Sequence, residues 1–514
     1  MEEQKTTNET NQVANQTDLN SEKMNDQQLN RLKHLQALKD LNLDPFLITK
    51  VNRTCTLQEF RKKYKNYTHE QLQEIGKDMI EVVAGKVMGI RQTFGQLQDF
   101  SGQLQFYIYK KEFDPDAFHI FKSLLDIGDY VEITGYPMKT MTGELTIRIK
   151  SFKIISKALR PLPEKWHGLV NEEIKIRNRY LDLIMNKDSR DRFILRSKII
   201  SQIRNYMEND GYIVVETPIL QECIGGASAR PFITKHNTLN RNLYLRIATE
   251  LPLKKIIVGQ FEKVFEIGRI FRNEGIDPVH NPEFTSMEAY SAYSDLKDMM
   301  ALCEGLFHKI SELNHITTVK FRTYDIDLTK PFEAISMLDC IKKYTNIDFT
   351  NLTDEQAIAV ANEHGVAMQP HERTWGHIVS LFFEAFCEAK LINPTFVYNH
   401  PLDITPLAKK LANNPRLTHR FELFIGGKEF ANAYAELNDP IDQKERFAKQ
   451  LEEKNLGNSE ANENDKDFIV AMEYGLPPTG GIGIGIDRLV MLFTQSDSIR
   501  QILFFPTNRD APKI

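Results

Sequence analysis

The chain has 514 residues, 41% of them hydrophobic and 26% charged, and a formal net charge of −5. That length supports about two to four domains and a sizeable buried core. The slight acidity excludes a global field that would draw the molecule to nucleic acid, so any RNA contact has to come from a local patch.

The five cysteines, Cys55, Cys223, Cys303, Cys340 and Cys387, are scattered without a CxxC pair. This argues against a thiolate zinc site and against a disulfide framework. No run of eighteen apolar residues and no signal-peptide core after Met1 is present, so a cytoplasmic protein with no membrane partner is expected.

Residues 1–29 are polar, rich in Asn, Gln, Thr and Glu, and are expected to form a disordered tail because they cannot bury enough apolar surface. From 30 to 79 the apolar spacing turns helical, with Leu32, Leu35, Leu38 and Leu41 followed by Phe60, Tyr64 and Tyr67. Lysines and arginines interleave with these aromatics. The segment reads as a helical N-terminal extension with a solvated face, auxiliary RNA contact being the lesser reading.

Residues 80–156 change period. VVAGKVMGI, GQLQDFSGQLQFYIYK, DYVEITGYPMKT and ELTIRIKSFKII are short alternating runs separated by glycine-bearing turns. Five such strands with a helical stretch near Phe118 to Leu125 predict a small closed barrel of the oligonucleotide-binding type. Aromatics beside polar side chains, such as Phe94, Gln98 and Phe106, suit stacking on splayed bases, although barrel-core packing suits each aromatic equally well. Residues 157–180 are read as a linker, punctuated by proline in KALRPLPEKWH.

A larger domain follows over 181–514. Ile199, Ile200, Ile203, Tyr206 and Met207 lie at helical spacing, Gly211 stands where that helix ends, and Tyr212 to Glu216 form a strand closed by Pro218. The stretch KVFEIGRIFRNEGIDPVHNPEFTSMEAYS, Lys263 to Ser291, reads as two strands joined by a polar loop. Antiparallel pairing would set Arg272, Glu288 and Tyr290 over one floor, where an arginine can grip a phosphate or carboxylate through two parallel hydrogen bonds. A helix is predicted from Leu296 to Ile316 and a mostly helical insertion over about 332–391. RFELFIGGKEFANAYAELND is a hairpin turning at Gly426 and Gly427, and TGGIGIGIDRLVMLFT is a glycine-rich strand entering a helix at Asp487. Its G-x-G-x-G spacing lacks the βαβ context of a dinucleotide fingerprint, so a Rossmann reading is rejected.

Three of these stretches resemble motifs 1, 2 and 3 of the class II aminoacyl-tRNA synthetases: the helix with its Pro218-ended strand, the strand-loop-strand carrying Phe271-Arg272-Asn273-Glu274, and the strand-helix junction Gly485-Ile486-Asp487-Arg488. The N-terminal barrel restricts the resemblance to the aspartyl, asparaginyl and lysyl subgroup. GGASARPF, FRNEGIDPVHNPEFTSMEAY, LAKK, RFELFIGGKEFAN and GLPPTGGIGIGIDRL are similar to segments of the bacterial-type lysyl-tRNA synthetases. The resemblance implies an α+β multidomain protein, with a five-stranded barrel ahead of a catalytic domain built on an antiparallel sheet flanked by helices.

It implies a cytoplasmic homodimer that activates lysine with ATP to lysyl-adenylate and passes the lysyl group to the 3′ end of tRNA(Lys). An aspartyl- or asparaginyl-tRNA ligase, a paralogue that lysylates protein, and a synthetase-like binding module are the alternatives. Arg272, Glu274 and Arg488 would be catalytic, and ATP would be held by these three with His280, Asn281, Phe284 and Gly485. Magnesium ions, up to three per subunit, would be bound through Glu422 and Glu429. A two-residue Gly426-Gly427 turn puts these carboxylates on one face, but Glu429 and Asn432 share that face only if a bulge intervenes.

Gly226 and Glu250 would take the α-amino group, and Arg272 and Asn432 the carboxylate. Glu288, Tyr290 and Glu436 would read the ε-ammonium, and Tyr434 would flank the aliphatic stem where the family usually has Phe. An aspartate pocket would need a cation there, and none is expected at these positions. Pro252 and Ala433 also depart from the family pattern. In the barrel, Arg91, Phe94, Gln98, Phe106 and Glu144 are the residues implied to contact the anticodon.

Overall fold

The computed structural model describes residues 24–163, 171–455 and 465–507. The chain divides into two compact units, Met1–Gly168 and Leu169–Ile514.

The first unit opens with α1 (Asp26–Asp40), α2 (Leu57–Tyr64) and α3 (His69–Ile75). Each starts in a capping box, formed by Asn25 with Gln28, Thr56 with Glu59, and Thr68 with Gln71. Cap and third side chains exchange hydrogen bonds with each other's amides there. The first box corrects the expected tail: residues 1–23 lie outside the described residues, but Asp26 to Leu29 already form the first turn of α1. Leu38, Leu57, Phe60, Tyr64 and Leu72 join the barrel's own core, so the three helices bury one face and leave the lysine-rich face in solvent.

The barrel consists of β1 (Glu81–Arg91), β2 (Phe94–Gln98), β3 (Gln103–Tyr107), β4 (Tyr130–Lys139) and β5 (Leu145–Ser156), with α4 (Pro115–Ser123) between β3 and β4. It closes in the order β1-β2-β3-β5-β4, and β3 and β5 run parallel. Strand alternation sends Val83, Val87, Leu97, Leu104, Val131, Ile133 and Ile147 inward. Lys157, expected in the linker, belongs to this unit. Its ammonium is buried and donates to Leu124 O at 2.6 Å and Asp129 Oδ2 at 2.7 Å. The rest of the expected linker is also structured in part: residues 164–170 lie outside the described residues, but α5 (Glu172–Arg177) and α6 (Arg179–Met185) follow directly.

In the second unit come α7 (Lys187–Asn209), β6 (Ile213–Val214), β7 (Leu220–Gln221), β8 (Ile233–His236), β9 (Arg241–Leu245), α8 (Glu250–Val258), β10 (Lys263–Phe271), β11 (Glu283–Ala292) and α9 (Leu296–Asn314). They are followed by β12 (Thr318–Phe321), β13 (Tyr324–Asp327), β14 (Glu333–Ser336), α10 (Met337–Thr345), α11 (Asp354–Glu363), α12 (Trp375–Phe386), β15 (Thr395–Tyr398), β16 (Arg420–Ile425) and β17 (Lys428–Ala435). α13 (Pro440–Asn455), α14 (Lys466–Glu473), β18 (Thr479–Gly485) and α15 (Ile486–Phe493) close the series.

An eight-stranded sheet, β14-β15-β16-β17-β18-β11-β10-β6, forms the frame. It is antiparallel except at its two edges, where β14 pairs parallel with β15 and β6 parallel with β10. The insertion therefore begins as an edge strand of the main sheet, Glu333–Ser336, before its helices gather a core around Trp375, Ile378, Phe382 and Phe383. The strand expected from Tyr212 to Glu216 is ladder-paired only at Ile213 and Val214.

Alternation decides the two faces of the sheet. Phe265, Met287, Ala289, Phe421, Leu423, Ala431, Ala433, Ile482 and Ile484 pack against α7, α9 and α15 in one large core. The residues between them point the other way, into a cavity. Among the described residues no helix is long and apolar enough to cross a membrane.

Candidate functional site

The uncovered sheet face floors a cavity of about 430 Å³. β10 and β11 pair with Ile270 opposite Phe284 and Glu266 opposite Glu288, which puts Phe284, Ser286, Glu288 and Tyr290 on the cavity side. β18 runs antiparallel between β11 and β17 and adds Gly481, Gly483 and Gly485 to the floor. A side chain at 481 has no room, because its Cβ would lie 2.0 Å from Glu436 Oε1 and 2.5 Å from the Tyr290 ring. The glycine run is thus a bare backbone strip fit to lie against a flat ligand.

At one end stand Arg272, Glu274, His280, Asn281, Phe284 and Arg488, all of them lining residues. The Arg272 guanidinium lies 5.3 Å from the centre of the Phe284 ring, and its buried Nε makes no hydrogen bond. Asn281 is buried and works on the loop itself: its amide donates to Glu283 O at 2.7 Å, and its Oδ1 accepts from Thr507 N at 3.3 Å. Arg488 donates to Glu429 O at 2.6 Å and to His280 Nε2 at 3.0 Å. An arginine can only donate, so His280 carries its proton on Nδ1, which faces Asp277 Oδ2 at 2.7 Å. Behind the floor, Asp487 accepts from Thr285 N at 2.9 Å and pairs with Arg196 of α7 at 2.6 Å, which ties the strand-helix junction to the long helix.

The β16-β17 hairpin carries Glu422 and Glu429 into the same cavity. Gly426 and Gly427 have φ of +59° and +68°, the pair of positive values a tight two-residue turn requires. The register shifts between Leu423 and Phe424, so that Phe424 faces Glu429 while Leu423 faces Ala431. Phe430 and Ala431 both go to the helical core, and this bulge lets Glu429 and Asn432 both line the cavity. Partial desolvation by the cavity walls and the neighbouring Glu422 push the half-exposed Glu429 carboxyl above its ordinary range, against the pull of Arg488, Arg420 and Arg272. Arg420 meanwhile reaches Glu422 Oε1 at 2.5 Å. Two mutually repelling carboxylates facing open space suit a hard divalent cation that completes its shell with phosphate oxygen and water.

At the other end, Gly226, Glu250, Glu288, Tyr290, Asn432 and Tyr434 line the wall. Glu288 accepts from Thr249 N at 2.9 Å and from the Tyr290 hydroxyl at 3.2 Å. Its carboxyl is pushed up to about 7, by desolvation first and by Glu250 second. The Tyr434 hydroxyl accepts from the Asn432 amide at 3.0 Å, a bond the usual Phe could not make.

Glu436 is 1% exposed and is not itself a lining residue, but its Oε1 lies over the cavity face of Gly481, beside the Tyr290 ring. The expectation that no cation stands here fails. Lys254 of α8, fully buried, lies 2.5 Å from Glu250 Oε1 and contacts Glu436 Oε2. It is four residues beyond Glu250, one helical turn, and that spacing was the signal in the sequence. Burial opposes the charge on Lys254, but the two carboxylates outweigh it and hold its pKa above the usual lysine value. Burial pushes the Glu436 carboxyl up to about 8, with Glu250 and Glu288 adding to the shift and Lys254 opposing it.

In the barrel, Arg91 and Phe94 meet at the exposed end of the β1-β2 hairpin. Glu144 is exposed and accepts from Arg61 at 2.9 Å. Two expected base contacts are corrected. Phe106 is 1% exposed and packs edge-on against Phe121 inside the barrel, so it cannot stack on a base. Gln98 is buried, and its Oε1 already accepts from Gln103 at 2.6 Å. The β2-β3 register pairs Phe94 with Tyr107 and Gln96 with Gln105, so Gln105 and Tyr107 are the outward residues. The signal was the DFSG turn: closing it sets Gln98 opposite Gln103, which leaves Phe106 one residue off the outer face.

Residues 171–509 match the family model described as tRNA synthetases class II (D, K and N), and residues 82–155 match the OB-fold nucleic acid binding domain. Similar curated proteins include the lysine–tRNA ligase of Ureaplasma parvum, 55% identical over 492 residues that cover 96% of this chain and 99% of the relative. Another is the lysine–tRNA ligase of Enterococcus faecalis, 50% identical over 503 residues, covering 97% of this chain and all of the relative. That of Listeria monocytogenes is 50% identical over 495 residues, covering 95% and 98%.

Proposed function

The chain belongs to the class II tRNA synthetases (D, K and N), and from that premise we propose how its cavity carries out lysine–tRNA ligation. The reaction activates lysine with ATP to lysyl-adenylate and pyrophosphate, then transfers the lysyl group to the 3′ end of tRNA(Lys). The single observation that carries the reading of the cavity is its closed end, where Glu250, Glu288 and Glu436 converge, since a buried ammonium is tolerated only against carboxylates.

In the first step the lysine carboxylate must approach the α-phosphate of ATP, a meeting of like charges. Arg272, free at Nε and set over Phe284, spans both groups and stabilises charge on the phosphorus as it transfers. Phe284 stacks on the purine against the glycine strip. Glu274 and His280 hold the adenine and outer phosphates, Asn281 keeps their loop in shape, and Arg488 takes the terminal phosphate. Glu422 and Glu429 would hold magnesium, which when bound would offset phosphate charge. No side chain is needed as a general base, so the rate rests on positioning and electrostatics.

Glu250 and the backbone at Gly226 take the α-amino group. Asn432 joins Arg272 on the carboxylate, and Tyr434 flanks the stem. Glu288, Tyr290 and Glu436 read the ε-ammonium, Glu436 through its unpaired Oε1. The anticodon lies on the outer barrel face over Phe94, Gln105 and Tyr107, with Arg91 on the backbone and Glu144 beside it.

A homodimer fits the catalytic unit. Ile213 and Val214 of edge strand β6, and Ile219 and Leu220 after it in the chain, are half exposed, apolar surface that an isolated subunit would leave open to aggregation. A cytoplasmic location goes with the substrate tRNA. ATP–pyrophosphate exchange measured with each amino acid in turn tests the substrate assignment: exchange with lysine alone supports it, and exchange with aspartate or asparagine overturns it.

A further inference from the structure

Lys254 has no part in the chemistry above, yet it is buried at the lysine end of the cavity. It reaches in from α8 to Glu250 on its own helix and Glu436 at the end of β17. The rings of Tyr290 on β11 and Phe468 on α14 lie 5.9 and 6.0 Å from its ammonium. The other titratable groups that bear on this cluster are Glu288 on β11 and Tyr434 on β17. Burial raises the pKa of both Tyr290 and Tyr434, so both hydroxyls stay neutral.

With its carboxylates ionised, this end holds Glu250, Glu288 and Glu436 against Lys254, which leaves two negative charges. Free lysine brings two ammonium groups, and its carboxylate is matched separately by Arg272. The charges close only if Lys254 is counted. We propose that Lys254 is a specificity-determining positioning residue: it cancels one of three carboxylates, so that a substrate with two ammonium groups meets the remaining charge in full, and it anchors Glu436 by Oε2 so that Oε1 faces the ε-ammonium. This rests on the lysine-pocket reading given above.

The consequence is a particular pattern of coupling. Without Lys254, a third buried carboxylate has no cation and takes up a proton instead, which turns an acceptor for the substrate into a donor. Without Glu436, Lys254 keeps only Glu250 and competes with the α-amino group for it. Removing both restores the two-charge balance.

The test uses the full-length protein as Lys254→Met, Glu436→Gln and the double variant, with fold checked by circular dichroism and thermal melting. Lysine affinity is measured by calorimetry without ATP, and KM for lysine and for ATP by pyrophosphate exchange. Each single variant is expected to weaken lysine about tenfold or more, while the double variant binds lysine at least about threefold more tightly than Glu436→Gln alone. ATP KM is expected to stay within about twofold throughout, which a merely structural role would not produce. A double variant equal to or weaker than Glu436→Gln overturns the proposal. That comparison decides even if Lys254→Met fails to fold, because in Glu436→Gln the lysine still pairs with Glu250, and in the double variant the lysine and its Glu436 partner are removed together. Failure of the wild type to bind lysine would instead bring down the pocket reading itself.

Discussion

Phe94 and Tyr107 face each other across one rung of the barrel, their ring centroids 4.5 Å apart and their planes tilted by 31°. The pair makes an outward aromatic step one residue away from Phe106, which points into the core. Phe94→Ala and Tyr107→Ala are each expected to cost tRNA binding about 1–3 kcal/mol, the worth of one base–aromatic stack, and to spare adenylate formation. Phe106→Ala is expected to destabilise the barrel by about 3–5 kcal/mol instead. Steady-state charging, pyrophosphate exchange and thermal melts separate these effects. A Phe94→Ala protein that loses exchange as fully as charging would show the residue to be structural.

Arg272→Ala is expected to abolish adenylate formation and leave the fold intact. The side chain lines the cavity and contacts the Phe284 ring without joining a core cluster. Single-turnover formation of lysyl-adenylate, with circular dichroism as the control, is the measurement. A folded variant with an unchanged rate rules out the role.

Glu436→Gln keeps size and removes charge. Leaving a buried ammonium short of a carboxylate typically costs about 3–5 kcal/mol, so lysine affinity is expected to fall by about two to three orders of magnitude. ATP affinity should hardly move, because the adenosine site proposed above is at Phe284, Gly485 and Arg488, none of which touches Glu436. Norleucine, which lacks the ε-amino group, should gain relative to lysine. Equal weakening of ATP and lysine would mean that Glu436 supports the whole site.

Lysine binding should strengthen as pH rises from about 6 to 8. Glu288 and Glu436 have carboxyls pushed up to about 7 and about 8, so the free protein holds protons there that the unfolded chain, at ordinary carboxylate values, has released. The sign follows: stability of the free protein falls as pH rises through this range, because the folded state binds more protons. An ammonium selects the ionised carboxylates and must expel those protons, so affinity rises by up to about tenfold per pH unit per proton. Calorimetry across that range, repeated in buffers of different ionisation enthalpy, reads both the affinity and the proton release. A flat profile with no proton release counts against the assignment.

The sequence by itself determined the parts whose physics is local. Period-2 runs made the barrel strands and the β10-β11 pair, the 3.6-residue period made α7 and α9, and Gly426-Gly427 demanded a tight turn whose parity conflict at Glu429 and Asn432 already required the bulge that the structure contains. The candidate residues named for the catalytic unit, Glu436 excepted, all line the cavity. Strand parity with resemblance made them legible, because alternation assigns each side chain a face once the strand is known. Arg420 and the 404–407 wall were not legible that way. Tertiary structure decided what depends on register and burial. Phe106 and Tyr107 are equally aromatic neighbours, and only the pairing of β2 with β3 sends one inward and the other out. Lys254 reads as an ordinary helix lysine until α8 packs against β10 and β11 and Glu436 comes to it from 182 positions away in the numbering of the chain. Charges that far apart in sequence acquire a shared energy only when the fold takes both out of water, and that step leaves no local pattern to read.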